Sequence, residues 1–210
     1  MKNIILNSLI IALLVFSMSA DGKTITIGID LSGSNPMVKH KNFAHSAAEY
    51  ADKEISKLKN GDIVRLKTFG SRDNVSNLLS SEYVVSRRVK PRKISAVISS
   101  YINSLPSKSD AVQGSTNLLA WLDFTGDFDC SEQSRIIVFT DGLESSELID
   151  FQSFVNGKAE LPEPDNDLNG CTVTVYGLGA GMPPTYVKNV RSGWRTWFKK
   201  AGATFKAIIP

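Results

Sequence analysis

Thr24-Ile25-Thr26-Ile27-Gly28-Ile29-Asp30-Leu31-Ser32-Gly33-Ser34 decides how this chain is built. Its first six residues form a β-branched run suited to a buried strand. Asp30, Ser32 and Ser34 then follow at alternate positions, so three oxygen-bearing side chains fall in the loop that leaves the strand. In an open α/β sheet, ligands sit in the crevice beyond the carboxyl ends of the strands, which is where such a loop lies. The segment therefore reads as a metal loop, although a Ser/Gly turn standing alone is ordinary turn chemistry.

Two later segments supply oxygens that one loop cannot. Gly114-Ser115-Thr116-Asn117 precedes an apolar, helix-like stretch, and Ile136-Ile137-Val138-Phe139-Thr140-Asp141-Gly142 is an apolar run ending in an acid and a glycine. Together these residues resemble the metal-ion-dependent adhesion site (MIDAS) of the von Willebrand factor type A (vWA) domain. Asp30, Ser32, Ser34, Thr116 and Asp141 stand at its five positions, in the family's order. The resemblance implies that Ser32, Ser34 and Thr116 touch the cation through neutral hydroxyls, while Asp30 and Asp141 hold bound waters or hydroxyl protons around it. An ion ligated mainly by neutral groups stays electrophilic. Magnesium takes six oxygens in a tight octahedron and releases water reluctantly, so Mg2+ is the expected cofactor, with Mn2+ or Ca2+ as alternatives. The resemblance also implies a coordination position left for an Asp or Glu of a protein partner. Glu144 stands close enough to Asp141 to line the rim, with nothing in the sequence to fix its direction.

The rest of the chain alternates strands and helices. Phe43, Ala44, Ala47, Ala48, Ala51, Ile55 and Leu58 recur at helical spacing, and Asn60-Gly61 is a stop signal. Ile63 to Phe69 reads as a second strand and Ser81 to Val89 as a third, which the resemblance makes an antiparallel edge. Ile94, Val97, Ile98, Tyr101, Ile102 and Leu105 form a helical stripe ended by Pro106, and Leu118 to Leu122 a short helix behind the threonine loop. Ile136 to Thr140, apolar on both faces, suits a central parallel strand. Glu147 to Val155 reads as a helix, and Gly157 to Gly170 as a surface loop. A fifth strand follows Cys171, then a helix with Val187, Val190, Trp194, Trp197, Phe198 and Ala201 on one face and Arg191, Arg195 and Lys199 on the other, and a last strand spans Phe205 to Ile209. The expected fold is α/β and Rossmann-like, of vWA type: a mostly parallel six-stranded sheet with one antiparallel edge strand and helices on both faces.

The 210 residues, 42% hydrophobic and 21% charged, suffice for one domain with a substantial core. Residues 1–20 read as a signal peptide and 23–210 as the vWA domain. Lys2, the apolar stretch Ile4 to Phe16 and the small residues Ser17, Ser19 and Ala20 have the order of a secretory leader cleaved after Ala20. Its retention as a signal anchor is the alternative; otherwise the mature chain has no membrane span. The reading places the protein in the periplasm or outside a bacterial cell. Cys130 and Cys171 make an even pair that an oxidising compartment would join. If their strands are neighbours, as the resemblance implies, that disulfide lies at the end of the sheet opposite the metal.

A net charge of +3 does not call for nucleic acid. Arg87, Arg88, Lys90, Arg92 and Lys93 form the densest basic run, which reads as a solvated edge that discourages sheet-to-sheet pairing. Trp194 and Trp197 share core spacing with Val187 and Val190 and so read as packing rather than a stacking platform. His40 and His45 lack partners at metal spacing. A serine hydrolase lacks its histidine and its Gly-x-Ser-x-Gly elbow, and Gly177-Leu178-Gly179-Ala180-Gly181 lacks the ending of a phosphate loop. An aspartyl phosphotransferase would place a second acid where Ser32 stands. The expected function is therefore divalent-cation-dependent protein–protein binding without catalysis. The alternatives are a metal-dependent phosphoester hydrolase and a structural subunit of an envelope or secretion assembly.

Overall fold

The β-branched run forms β1 (Thr24–Asp30), buried along its entire length. In chain order the other elements are α1 (Lys41–Ile55), β2 (Ile63–Phe69), β3 (Ser80–Val84), α2 (Pro91–Ser104), α3 (Leu118–Phe124), β4 (Arg135–Phe139), α4 (Phe151–Val155), β5 (Thr172–Tyr176), α5 (Pro184–Lys200) and β6 (Thr204–Ile208). The computed structural model describes residues 22–71, 79–108, 112–124, 128, 130 and 133–210. The leader expected over residues 1–20 lies outside these, and among the described residues no helix is long and apolar enough to cross a membrane.

The six strands run in the order β3-β2-β1-β4-β5-β6, all parallel except β3, which pairs antiparallel with β2. Parallel neighbours need crossover helices, and these cover both faces. Alternation along each strand divides the core into two layers. On one face Ile27, Ile29, Leu66, Ile137 and Phe139 meet Ala47, Ala51 and Ile55 of α1 and Ile94, Ile98 and Ile102 of α2. On the other, Ile136, Val138, Val173 and Val175 meet Leu118 and Leu122 of α3 and Val190, Trp194, Trp197 and Phe198 of α5. Removing each such large side chain from water is worth about 2 kcal/mol. Trp194 and Trp197 are thus core residues, as their spacing implies.

Gly28 marks a close approach within β1. A Cβ there would stand 2.6 Å from the Trp121 ring, so the missing side chain lets α3 lie directly on the central strand. Cys130 and Cys171 are joined in a disulfide just before β5, at the end of the sheet where the parallel strands begin.

Four local expectations shift. β3 stops at Val84 because Ser86 and Val89 close a turn: Ser86 N donates to Val89 O (2.9 Å) and Val89 N to Ser86 Oγ (3.0 Å). The helix expected from Glu147 begins only at Phe151, where Asp150 accepts from Ser153 N at 2.7 Å and supplies the cap. Val97, placed in the α2 stripe by spacing, is 52% exposed because it stands at the stripe's margin. Arg191, placed on the outer face of α5, is half-buried and donates to Leu178 O (3.0 Å).

Candidate metal centre

β1 and β4 are neighbours with Ile29 opposite Phe139, so the loops that leave them start side by side at the centre of the sheet. Asp30 is fully buried at this point, and both its oxygens are used. Oδ1 accepts from Ser32 N at 2.8 Å, bending the loop back on itself, and Oδ2 accepts from the Thr140 hydroxyl at 2.6 Å, tying β1 to β4. Asn35, also fully buried, adds a second tie by donating to Asp30 O (2.8 Å) and Phe139 O (3.2 Å). Its place before Pro36 is a turn signal in the sequence, but not a pointer to this role.

The loop presents hydroxyls toward one spot. Ser32 Oγ and Ser34 Oγ lie 3.1 Å apart, and the Ser34 hydroxyl also reaches the Asp141 carboxyl. Asp141 Oδ1 accepts from Leu143 N at 2.9 Å across a turn made by Gly142, whose φ of +76° suits glycine. Trp194 Nε1 donates to Gly142 O (2.8 Å), so the core of the second layer holds this turn in place.

Thr116 arrives on a third loop, joined to the other two by backbone pairs. Gln113 N donates to Leu31 O and Gly33 N to Gln113 O, both at 2.9 Å. On the other side Thr116 N donates to Ser145 Oγ (2.7 Å), Ser145 N to Thr116 O (3.1 Å), and Leu118 N and Leu119 N to Glu144 Oε2 (2.9 and 3.1 Å). Four hydrogen bonds thus clip the segment after Asp141 onto the segment carrying Thr116. Glu144 is fully buried and caps α3 rather than lining the rim. Ser32, Ser34 and Thr116, with Gln113, Leu143 and Phe151, line a cleft of about 310 Å³.

Burial raises all three acids of this region. Burial, then the nearby charge of Asp141, push Asp30 up to about 7, against the Thr140 and Ser32 donors. Burial likewise pushes Asp141 up to about 6, against the Leu143 N–H and the Ser34 hydroxyl. Two acids that close titrate as a pair. Glu144 is pushed by burial to about 7 in spite of the helix N–H groups it accepts from.

Ser32, Ser34 and Thr116 thus line one cleft, while Asp30 and Asp141 are buried behind the serine loop, Asp30 against Ser32 N and Asp141 against the Ser34 hydroxyl. Whether they suit a divalent ion can be judged from the donors. Thr116 Oγ1 is buried without a hydrogen-bond partner, an expensive state that a ligand would relieve. Among the described residues no three His, Cys, Asp or Glu side chains come together, so an ion here would be held by hydroxyls beside two acids. Such all-oxygen donors suit magnesium, manganese or calcium rather than zinc. Sequence reasoning missed Asn35, Thr140 and Ser145, which fix the loops, and left the direction of Glu144 open.

No protein-family model matches the chain, and no curated protein matches it. Solved structures do. A von Willebrand factor type A protein from Catenulispora acidiphila is 17% identical with a TM-score of 0.49, over 89% of this chain and 38% of that one. The pilus adhesin SpaC from Lactobacillus rhamnosus GG, in its open conformation, is 14% identical with a TM-score of 0.47, over 90% of this chain and 28% of that one. The vWA domain of SpRpn10 is 12% identical with a TM-score of 0.40, over 90% of this chain and 88% of the domain. This chain spans less than half the length of the first two. The class itself is defined by the architecture: a six-stranded, mostly parallel sheet with one antiparallel edge and helices on both faces is the Rossmann-like fold of vWA type.

Proposed function

We propose that this chain binds a protein partner through a divalent cation held by Ser32, Ser34 and Thr116, with Asp30 and Asp141 organising the donors. The observation that carries the reading is the orphaned Thr116 hydroxyl, buried beside the cleft that the two serines line. Asp30 spends its oxygens on Ser32 N and Thr140 Oγ1, so its work is to shape the loop and supply negative charge. Asp141 holds the Ser34 hydroxyl, leaving that oxygen's lone pairs toward the cleft. Magnesium, manganese or calcium would supply a Lewis-acidic position for a partner's Asp or Glu. The Cys130–Cys171 disulfide supports export to the periplasm or beyond, since such bonds persist in oxidising compartments.

The test is calorimetric titration of the chain with magnesium, manganese and calcium, for the wild type and for Thr116→Ala. Saturable binding weakened at least about tenfold by the substitution is expected. Capture of a partner from native extract, lost on adding chelator, extends it to the interaction. Absence of divalent uptake refutes the reading. Metal-dependent turnover of a generic phosphoester, abolished by Asp30→Asn, replaces it with a hydrolase.

A further inference from the structure

The end of the sheet opposite the metal centre carries a second feature, unrelated to the cation. The turn after β3 and the first turn of α2 expose Arg87, Arg88, Lys90, Arg92 and Lys93, and among the described residues none of the five makes an ion pair. In the sequence they are only a charged run. The fold brings further cations to them. Val85 N donates to Asp62 O and Gly61 N to Val85 O, which lays this turn against the turn after α1, where Lys57 and Lys59 are exposed. Lys23, exposed at the start of β1, is held to the same place by its N–H to Asp62 Oδ1 (2.9 Å).

The acids at this corner are already engaged. Asp62 is buried and accepts from Lys23 N and Lys59 N; Glu54 is buried and pairs with Lys57 and Arg135; Asp52 accepts from the Ser95 hydroxyl. The acidic loop containing Glu160 and Glu163 lies across the sheet beside α5, where it holds Lys200. Stability does not account for the exposed cations, because no acid occupies the first turn of α2 and cations there oppose the helix dipole.

We infer that this basic corner is a docking surface for an anionic phospholipid bilayer. Two observations favour a bilayer over a soluble polyanion. The cations come from three chain segments, and although Lys23 and Lys57 line a cleft of about 350 Å³ beside Glu54, the five of the run stand exposed on the turn after β3 and the first turn of α2. Val84 and Val89, 50% and 38% exposed, stand among them as apolar tips suited to the headgroup boundary. Docking there turns the metal centre away from the lipid.

The test is flotation of the mature chain, residues 21–210, with vesicles of phosphatidylcholine alone or mixed with phosphatidylglycerol, across a salt series. Each cation near an anionic surface contributes roughly fivefold in partitioning, so the triple variant R87Q/R88Q/K90Q should lose about a hundredfold on the mixed vesicles. Its weak binding to the zwitterionic vesicles should not change. Lys199→Gln, on the exposed face of α5, should behave as wild type on both. An unchanged urea midpoint shows that the triple variant is folded, and salt release of the wild type tests the same point without mutation. Equal binding to both vesicle types, or a triple variant that binds like wild type, overturns the inference. So does soluble polyphosphate binding that depends on the three residues while the mixed vesicles bind nothing.

Discussion

Replacing Asp30 by Asn should stabilise the metal-free chain, and a bound cation should offset most of that advantage at about pH 8 and reverse it at about pH 5. The substitution keeps the shape of the side chain and its acceptor for Ser32 N, replaces the acceptor facing the Thr140 hydroxyl by an N–H, and removes a buried charge. Asp30 is raised from 3.8 to about 7, so between those values the folded chain holds a proton that the unfolded chain has released, and stability falls as pH rises. At about pH 8 the full cost of ionising Asp30 in the fold is present, about 4 kcal/mol; at about pH 5 it is about 2 kcal/mol. Asn escapes both. In chelator the variant's stability relative to wild type should therefore rise by about 2 kcal/mol from about pH 5 to about pH 8, the altered Thr140 contact cancelling in the difference. Magnesium at a hundred times its dissociation constant should add about 3 kcal/mol to the wild type and little to the variant. Urea denaturation at the two pH values, with chelator or magnesium, measures all of these terms. An advantage equal at both pH values refutes the electrostatic argument, and equal stabilisation of the two proteins by magnesium refutes the placement of the cation.

Three other outcomes follow from the same contacts. Joint replacement of Cys130 and Cys171 by Ser frees a loop spanning a sequence separation of 41 and should cost about 4 kcal/mol in thermal or urea unfolding, with little change in metal affinity. Gly142→Ala forces a side chain onto a φ of +76° and against Leu178 Cδ1 at 2.3 Å, a loss of about 3 kcal/mol by denaturation, with weakened metal uptake because Asp141 moves. Ser145→Ala and Glu144→Gln loosen the clip on Thr116, and each should weaken magnesium binding about 10–100-fold in calorimetry while far-ultraviolet circular dichroism is unchanged.

Much of this molecule is legible in its sequence because its signals are local. The runs at Thr24 and Ile136 are uninterrupted because both strands are covered on two faces, and the alanine and isoleucine stripes of α1 and α2 repeat at the helical period. The positions of the five candidate residues follow for a related reason: Asp30 and Asp141 close recognisable strands, the serines follow in the loop, and Thr116 precedes a helix. What escapes is non-local. Glu144 is 26 residues away from the N–H of Leu118 that it caps, and no nearby residue hints that α3 takes its cap from elsewhere. The pairing of Gln113 with Leu31 likewise joins two segments that only the folded sheet brings together. Val97 shows the limit of periodicity, since spacing locates a stripe but not its edge.

The central strand also defines how the domain would carry tension. Lys23 lies at one end of β1 and the Asp30 loop at the other, so a pull between an attachment at the first and a bound partner at the second acts along the strand's own axis. The ladders to β2 and β4, which run over seven and five residue pairs, then resist by sliding all at once rather than by parting one rung at a time. A tether built this way yields only when many hydrogen bonds break together, which makes β1 the mechanical spine of the molecule.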